Sequence, residues 1–247
     1  MGEIKVRLRH WDLLMAKELD MKLLMEELDG FAVPRFGKGK AFVSSYARVS
    51  NLVESLSTVD VGKLGRSDSC ELEPPEHIDG ISFMAMMELQ SLIGDSSSFS
   101  FSEYVANYIS ICCFGKVYSK KKFNRDGKRF KRLVKRVLDM DGFEMVGLYN
   151  ELSEKVLERS NYWDKAFFQV SHSDGDYIAA GGDRMKAFNV IETLKSLCAD
   201  FNVSIEEAWQ LPYSLSQVNS LSSATKADIE RNLSEIKERK FRAQKKR

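Results

Sequence analysis

The chain opens on a period of two. Ile4, Val6 and Leu8 alternate with Glu3, Lys5, Arg7 and Arg9, the pattern of a short half-buried strand. From Trp11 the spacing turns helical: Leu14, Leu19, Leu23, Leu24 and Leu28 recur, and Asp29-Gly30 offers a turn to stop a helix over about 11–29. Residues 30–80 scatter Gly37, Gly39, Gly62, Gly65 and Pro74-Pro75 among serines and charges, and predict at most an interrupted helix near 45–57. Within them 62–80 reads as a connector, because adjacent prolines remove backbone donors and turn the preceding residue away from helix.

Beyond the prolines, 82–93 and 100–114 predict two apolar helices across a Ser-rich loop. The second opens with the capping-box spacing Ser100-x-x-Glu103, and Gly115 is placed to end it. A helix over about 127–140 puts Phe130, Leu133, Val134, Val137 and Leu138 on one face; another, from Phe143 to about Phe168, uses Val146, Tyr149, Leu152, Val156 and Leu157. After a polar loop at 171–176, residues 183–201 carry a further stripe through Phe188, Ile191, Leu194, Leu197 and Phe201. Ser204-x-x-Glu207 and Ser214-x-x-Gln217 both fit a capping box, dividing the remainder into a short helix ending before Pro212 and a following one. A last helix from about Lys226 loses its apolar face after Ile236 and ends as a basic tail.

These elements predict a mainly α fold, a multi-helix bundle with at most a short N-terminal β element. The organisation reads as a strand-helix segment over 1–61, the connector 62–80, a central helical domain over 81–170, a C-terminal helical region over 171–236 and the tail 237–247. With 43% hydrophobic residues in 247, a substantial core is expected. No stretch approaches the ~18 apolar residues needed to span a bilayer. Cys70, Cys112, Cys113 and Cys198 lack C-x-x-C spacing, as expected of reduced thiols in a cytoplasmic protein.

Net charge is +1 and selects no partner, but its distribution does. Residues 116–136 hold eleven basic side chains against Asp126, with Tyr118, Phe123 and Phe130 interleaved, and 237–247 hold seven against Glu238. Clustered Lys and Arg suit phosphates, and aromatics can stack on bases. The competing use is a solvated or protein-contacting face.

Other candidates are weaker. Gly37-Lys38-Gly39-Lys40 lacks the spacing of a phosphate loop. His172, Asp174 and Asp176 share one turn, yet the twelfth loop position that a calcium hand requires holds no acid. Histidines occur only at 10, 77 and 172, with no nucleophile motif nearby. Asp139 with Asp141, and Glu151 with Glu154, are candidate carboxylate pairs whose spacing equally suits helix ends and exposed faces. Met84, Met86 and Met87 crowd one helix with Phe83, as core or as an adaptable partner surface.

Two stretches resemble helical proteins of tailed bacteriophages, particularly tail-assembly chaperones and neighbouring virion-assembly proteins. They are Ile81-Ser-Phe-Met-Ala-Met-Met-Glu-Leu-Gln-Ser-Leu-Ile93 and the series from Phe188 to Leu221, with Phe201-Asn-Val-Ser-Ile-Glu-Glu-Ala-Trp-Gln-Leu-Pro212. Val6-Arg-Leu-Arg-His-Trp11 is similar in flavour. The resemblance implies a non-enzymatic role; from the residues themselves no cofactor or metal is expected. The protein would bind other phage assembly or virion proteins, or copies of itself, in the host cytoplasm or within the particle, and not a membrane. The chain is longer than the usual small chaperones and adds the basic 116–136 segment. Partner contact is expected at Phe83, Met84, Met87, Trp209 and Leu211. The alternative is nucleic-acid binding, in genome packaging or ejection, through Lys120, Lys121, Lys122, Arg125, Lys128, Arg129 and Arg132.

Overall fold

A computed structural model describes residues 6–15, 21–29, 40–67, 70–119, 121–168 and 188–245. Its α-helices, in chain order, are α1 Trp11–Leu14, α2 Met21–Asp29, α3 Lys40–Ser57, α4 Phe83–Gly94, α5 Phe101–Val117, α6 Lys128–Asp139, α7 Gly142–Phe168, α8 Asn189–Phe201, α9 Ile205–Ala208 and α10 Tyr213–Lys245. The architecture is mainly α and multi-helical, and no strand occurs among the described residues. The chain forms two compact units: Met1–Pro75 with Met87–Glu154, and Glu76–Met86 with Lys155–Arg247.

The first unit is organised by α5. Ser100 Oγ accepts the Glu103 N–H at 3.4 Å while the Glu103 carboxylate accepts the Ser100 N–H at 3.3 Å, so two groups that the helix start leaves orphaned are satisfied together. Asp12 accepts the Ser102 N–H at 2.9 Å and also the Ser102 hydroxyl. Val105, Ala106 and every residue from Tyr108 to Phe114 are buried, so α5 is apolar all round and needs neighbours on each side. Those neighbours include α1, α6 and the turn Leu8–His10. Trp11 lies 5.5 Å from Phe143 and 6.2 Å from Phe101. Tyr104, Tyr108 and Tyr149 form a second aromatic cluster, in which burial pushes the Tyr104 hydroxyl up to about 12.

The alternation at the N-terminus does not produce a strand over its described part. Residues 6–8 instead stitch onto the corner between α6 and α7: Leu8 N–H donates to Met140 O at 3.0 Å and Gly142 N–H to Val6 O at 2.8 Å. That corner offers a single antiparallel bridge, Arg7 with Asp141, and the chain then turns into a 3₁₀ turn at Leu8–His10. The helix expected over 11–29 is described as α1 and α2. Residues 16–20 lie outside the described residues, as do Lys120, Gly37 to Gly39 and the loop with His172, Asp174 and Asp176.

Gly115 does not end its helix. It sits inside α5 with open space around its Cα, and α5 runs on to Val117. Two other glycines are required by close approach: a Cβ at Gly142 would overlap Trp11 Nε1, and one at Gly147 would overlap the Gly65 carbonyl. The second contact is reinforced by the Asn150 amide, which donates to Val61 O at 2.9 Å and Leu64 O at 3.0 Å, and by Arg66 Nε on Glu151 at 2.9 Å. The first part of the 62–80 stretch is thereby pinned to α7.

In the second unit, residues 81–84 pair with 209–213. Phe83 N–H donates to Leu211 O at 2.7 Å, Met84 N–H to Trp209 O at 2.9 Å and Tyr213 N–H to Ile81 O at 2.8 Å. Phe83 stacks between Trp209, at 5.4 Å, and Tyr213, at 6.4 Å. α8 ends on Asn202 in the left-handed region, at φ 50°, a conformation Asn tolerates better than most residues. Ser204 and Glu207 form the expected capping box for α9. The second expected box is not a cap: α10 begins at Tyr213, directly after Pro212, so Ser214 lies within its first turn. The helices expected after Pro212 and from Lys226 are one helix, continuous to Lys245.

Gly147→Ala should cost about 2–3 kcal/mol by forcing backbone apart, whereas Gly115→Ala should stabilise by about 0.5–1 kcal/mol through helix propensity. Urea denaturation monitored by circular dichroism checks both signs. His10 is buried, and its Nδ1 accepts the Arg7 N–H at 3.2 Å. Desolvation, with Arg9 beside it, holds the ring below its ordinary 6.5. Below that pH the unfolded chain binds the proton more readily than the folded one, so stability should fall as pH drops from 7 toward 5.5. His10→Asn keeps an acceptor there and cannot titrate. It should flatten this part of a melting-temperature profile; an unaltered slope would rule out His10 as its source.

Candidate functional site

α6 reads Lys-Arg-Phe-Lys-Arg-Leu-Val-Lys-Arg-Val-Leu-Asp from residue 128, and its two faces have opposite fates. Phe130, Leu133 and Val137 are buried, as the 3.6-residue period predicts, with Phe130 at 5.6 Å from Phe123 and 6.4 Å from Phe114. Lys128, Arg129, Lys131, Arg132, Lys135 and Arg136 are exposed. No acid occupies the first turn to complement the helix dipole, and like charges recur at i+3 and i+4, each such pair opposing the helix by about 0.2–0.5 kcal/mol. Packing of the apolar stripe therefore holds α6 together against its own charge.

The expected cations divide by partner. Arg125 is paired with Glu88 at 2.8 Å, Arg136 with Glu71 at 2.9 Å and Lys116 with Glu73 at 3.5 Å. Lys121, Lys122, Lys128, Arg129 and Arg132 are exposed without such a pair among the described residues, as are Lys131 and Lys135. The interleaved aromatics are not available for stacking: Phe123 and Phe130 are buried, and Tyr118 lies half-buried 5.2 Å from Phe114.

The expected partner-contact residues are largely engaged inside the fold. Phe83 is only 3% exposed, because the pairing of 81–84 with 209–213 closes over it. Met84, Met87, Trp209 and Leu211 are half-buried, with Met84 Sδ accepting from Gln210 at 3.6 Å and the Trp209 and Leu211 carbonyls used by Met84 and Phe83. A different apolar surface emerges on α10. From Thr225 to Arg242 every residue but Asp228 and Arg231 is exposed, including Ile229 at 52%, Leu233 at 49% and Ile236 at 47%. Their spacing of four and three puts them on one stripe. That spacing was visible in the sequence, but the exposure of its apolar members was not.

Three of the candidate catalytic groups, Asp139, Asp141 and Glu151, have structural occupations. Asp139 pairs with Arg9 at 3.1 Å and Arg7 at 3.7 Å, and Asp141 Oδ1 caps α7 by accepting from Phe143 and Glu144 N–H. Glu151 holds Arg66, and Glu154 is exposed. His77 is exposed beside Glu76. Among the described residues no group of three His, Cys, Asp or Glu is arranged to hold a metal ion. No described helix is long and apolar enough to cross a membrane.

Sequence reasoning also missed a charged cluster in the second unit. Asp79, nearly buried, is ion-paired with Arg159 and accepts from Trp163 Nε1 at 3.2 Å. The Arg159 guanidinium lies over the rings of Tyr162 and Trp163, at 4.2 and 4.8 Å. Asp79, Arg159 and Tyr162, with His77, Lys155 and Glu158, line a cleft of about 710 Å³. Acids and bases alternate around it, so the cleft has no single charge preference. No signal short of the fold links residue 79 with residue 159.

No protein-family model matches the chain, and neither curated proteins nor solved structures yield a match.

Asp79→Ala should cost about 2–3 kcal/mol: breaking a buried pair costs about 3–5 kcal/mol, reduced here because the Arg159 side chain is 35% exposed. Asp79→Asn, which can still accept from Trp163, should cost less. Equal losses in a chemical denaturation series would remove the Trp163 hydrogen bond from the explanation.

Proposed function

We propose that this chain is a non-enzymatic recognition protein of phage assembly or of the virion, the role implied by its resemblance to tail-assembly chaperones and neighbouring assembly proteins. Its partner is another assembly or virion protein, met in the host cytoplasm or in the particle. The observation that supports this reading is the far part of α10.

In proteins most helical stability comes from packing an amphipathic face rather than from propensity. Residues 226–245 would extend about 30 Å at 1.5 Å per residue. Their internal support is modest: Glu235 with Arg239 at 3.3 Å, Glu238 with Arg242 at 3.4 Å, and Asp228 with Arg231. The two exposed pairs, Glu235 with Arg239 and Glu238 with Arg242, contribute about 0.3–0.5 kcal/mol each. Ile229, Leu233 and Ile236 supply what such a helix lacks, a stripe for a partner to cover. Recognition of an amphipathic helix face needs only anchors at this spacing, and the basic end that follows adds steering toward an acidic surface.

The test is affinity capture from infected-cell lysate with the tagged chain and with its Ile229→Ala/Leu233→Ala/Ile236→Ala variant. Alanine keeps helix propensity while removing the apolar stripe, so the variant should melt as the parent does. The parent should recover an assembly or virion protein, with affinity reduced at least about 150-fold in the variant, given about 1 kcal/mol or more per lost anchor. Equal recovery by both, or recovery of no virion protein, would refute the reading.

A further inference from the structure

The basic face of α6 is separate from the α10 stripe and calls for a different ligand. Lys128, Arg129, Lys131, Arg132 and Lys135 are exposed, without a carboxylate partner among the described residues, while the neighbouring Lys116, Arg125 and Arg136 are held by glutamates. At 100° per residue the five lie within an arc of about 160° opposite Phe130, Leu133 and Val137. We infer that this face binds the phosphate backbone of duplex nucleic acid without reading its sequence.

The chemistry of the face narrows the class of ligand. A membrane surface takes a helix whose apolar side chains enter the lipid, but α6 turns its apolar side chains inward, with Phe130, Leu133 and Val137 buried and Val134 and Leu138 half-buried. A protein interface is built around apolar and aromatic anchors, and this face has none. Single strands are held by aromatics on which bases stack; Phe123 and Phe130, the aromatics nearest the cations in sequence, are 3% and 2% exposed. What is left is a row of cations on one packed helix, which suits regularly spaced phosphates. Sequence-specific readout needs side chains placed against base edges, and a face of Lys and Arg alone supplies backbone contact first.

The test is fluorescence anisotropy of labelled duplexes of unrelated sequence, against the full chain, from about 50 to 200 mM salt. Five phosphate contacts give a log–log slope near −4.5, an affinity loss of about 500-fold across that range. Duplexes of different sequence should bind alike, and a single strand of equal length more weakly. The variant Lys128→Gln/Arg129→Gln/Arg132→Gln/Lys135→Gln should flatten the slope by about 3 to 4, and Arg132→Gln alone by about 1. Both change only exposed positions, and the single variant keeps the test open if the multiple one folds poorly. The inference is overturned if duplex does not bind at 50 mM, if the slopes are unchanged, if the single strand binds more tightly, or if vesicles of phosphatidylserine and phosphatidylcholine bind in place of duplex.

Discussion

The first unit depends on one demand, that α5 be covered on every side. A helix with a polar face can rest against one neighbour; α5, with Cys112, Cys113 and Ile109 as buried as Val105, cannot. Each element around it must therefore turn its own apolar stripe inward. α6 directs Phe130, Leu133 and Val137 to the interior and leaves mostly cations for solvent. The turn at Leu8–His10 contributes Leu8, and α1 contributes Trp11. The cationic surface of α6 is thus the other side of a packing solution.

The same demand explains how carboxylates are used in this unit. Asp12 and Asp141 sit at helix starts, where unpaired N–H groups favour negative charge, and Glu71, Glu73, Glu88 and Asp139 each hold a basic side chain. Acids that are close in sequence serve different partners, since Asp139 answers Arg9 and Asp141 answers the backbone of α7. Spacing by itself could not separate these duties from catalysis.

What was legible in the sequence followed from local physics. The 3.6-residue stripe placed α6 and α7 within a residue or two, and Ser100 and Ser204 announced real capping boxes. Ser214 announced a false one, because a serine in the first turn and a serine at the cap look alike until the preceding residues are located. Gly115 misled in the same way: glycine ends helices when a left-handed residue is needed, and here none is. The fate of Phe83 was not legible, since it is decided by pairing with residues more than a hundred positions away. Conversely, the α10 stripe was legible as a pattern, but a pattern of apolar residues does not say whether the chain itself will cover them.

The four thiols carry a consequence of the two-unit organisation. Cys70, Cys112 and Cys113 are buried in the first unit, where burial pushes the Cys70 and Cys112 thiols up, away from the reactive thiolate. Cys198, on α8 of the second unit, is half-buried. Alkylating reagents thus meet one partly accessible sulfur in the native chain and gain the other three only when the packing of the first unit opens. The protein carries its own reporter of the opening of its first unit, with no label added.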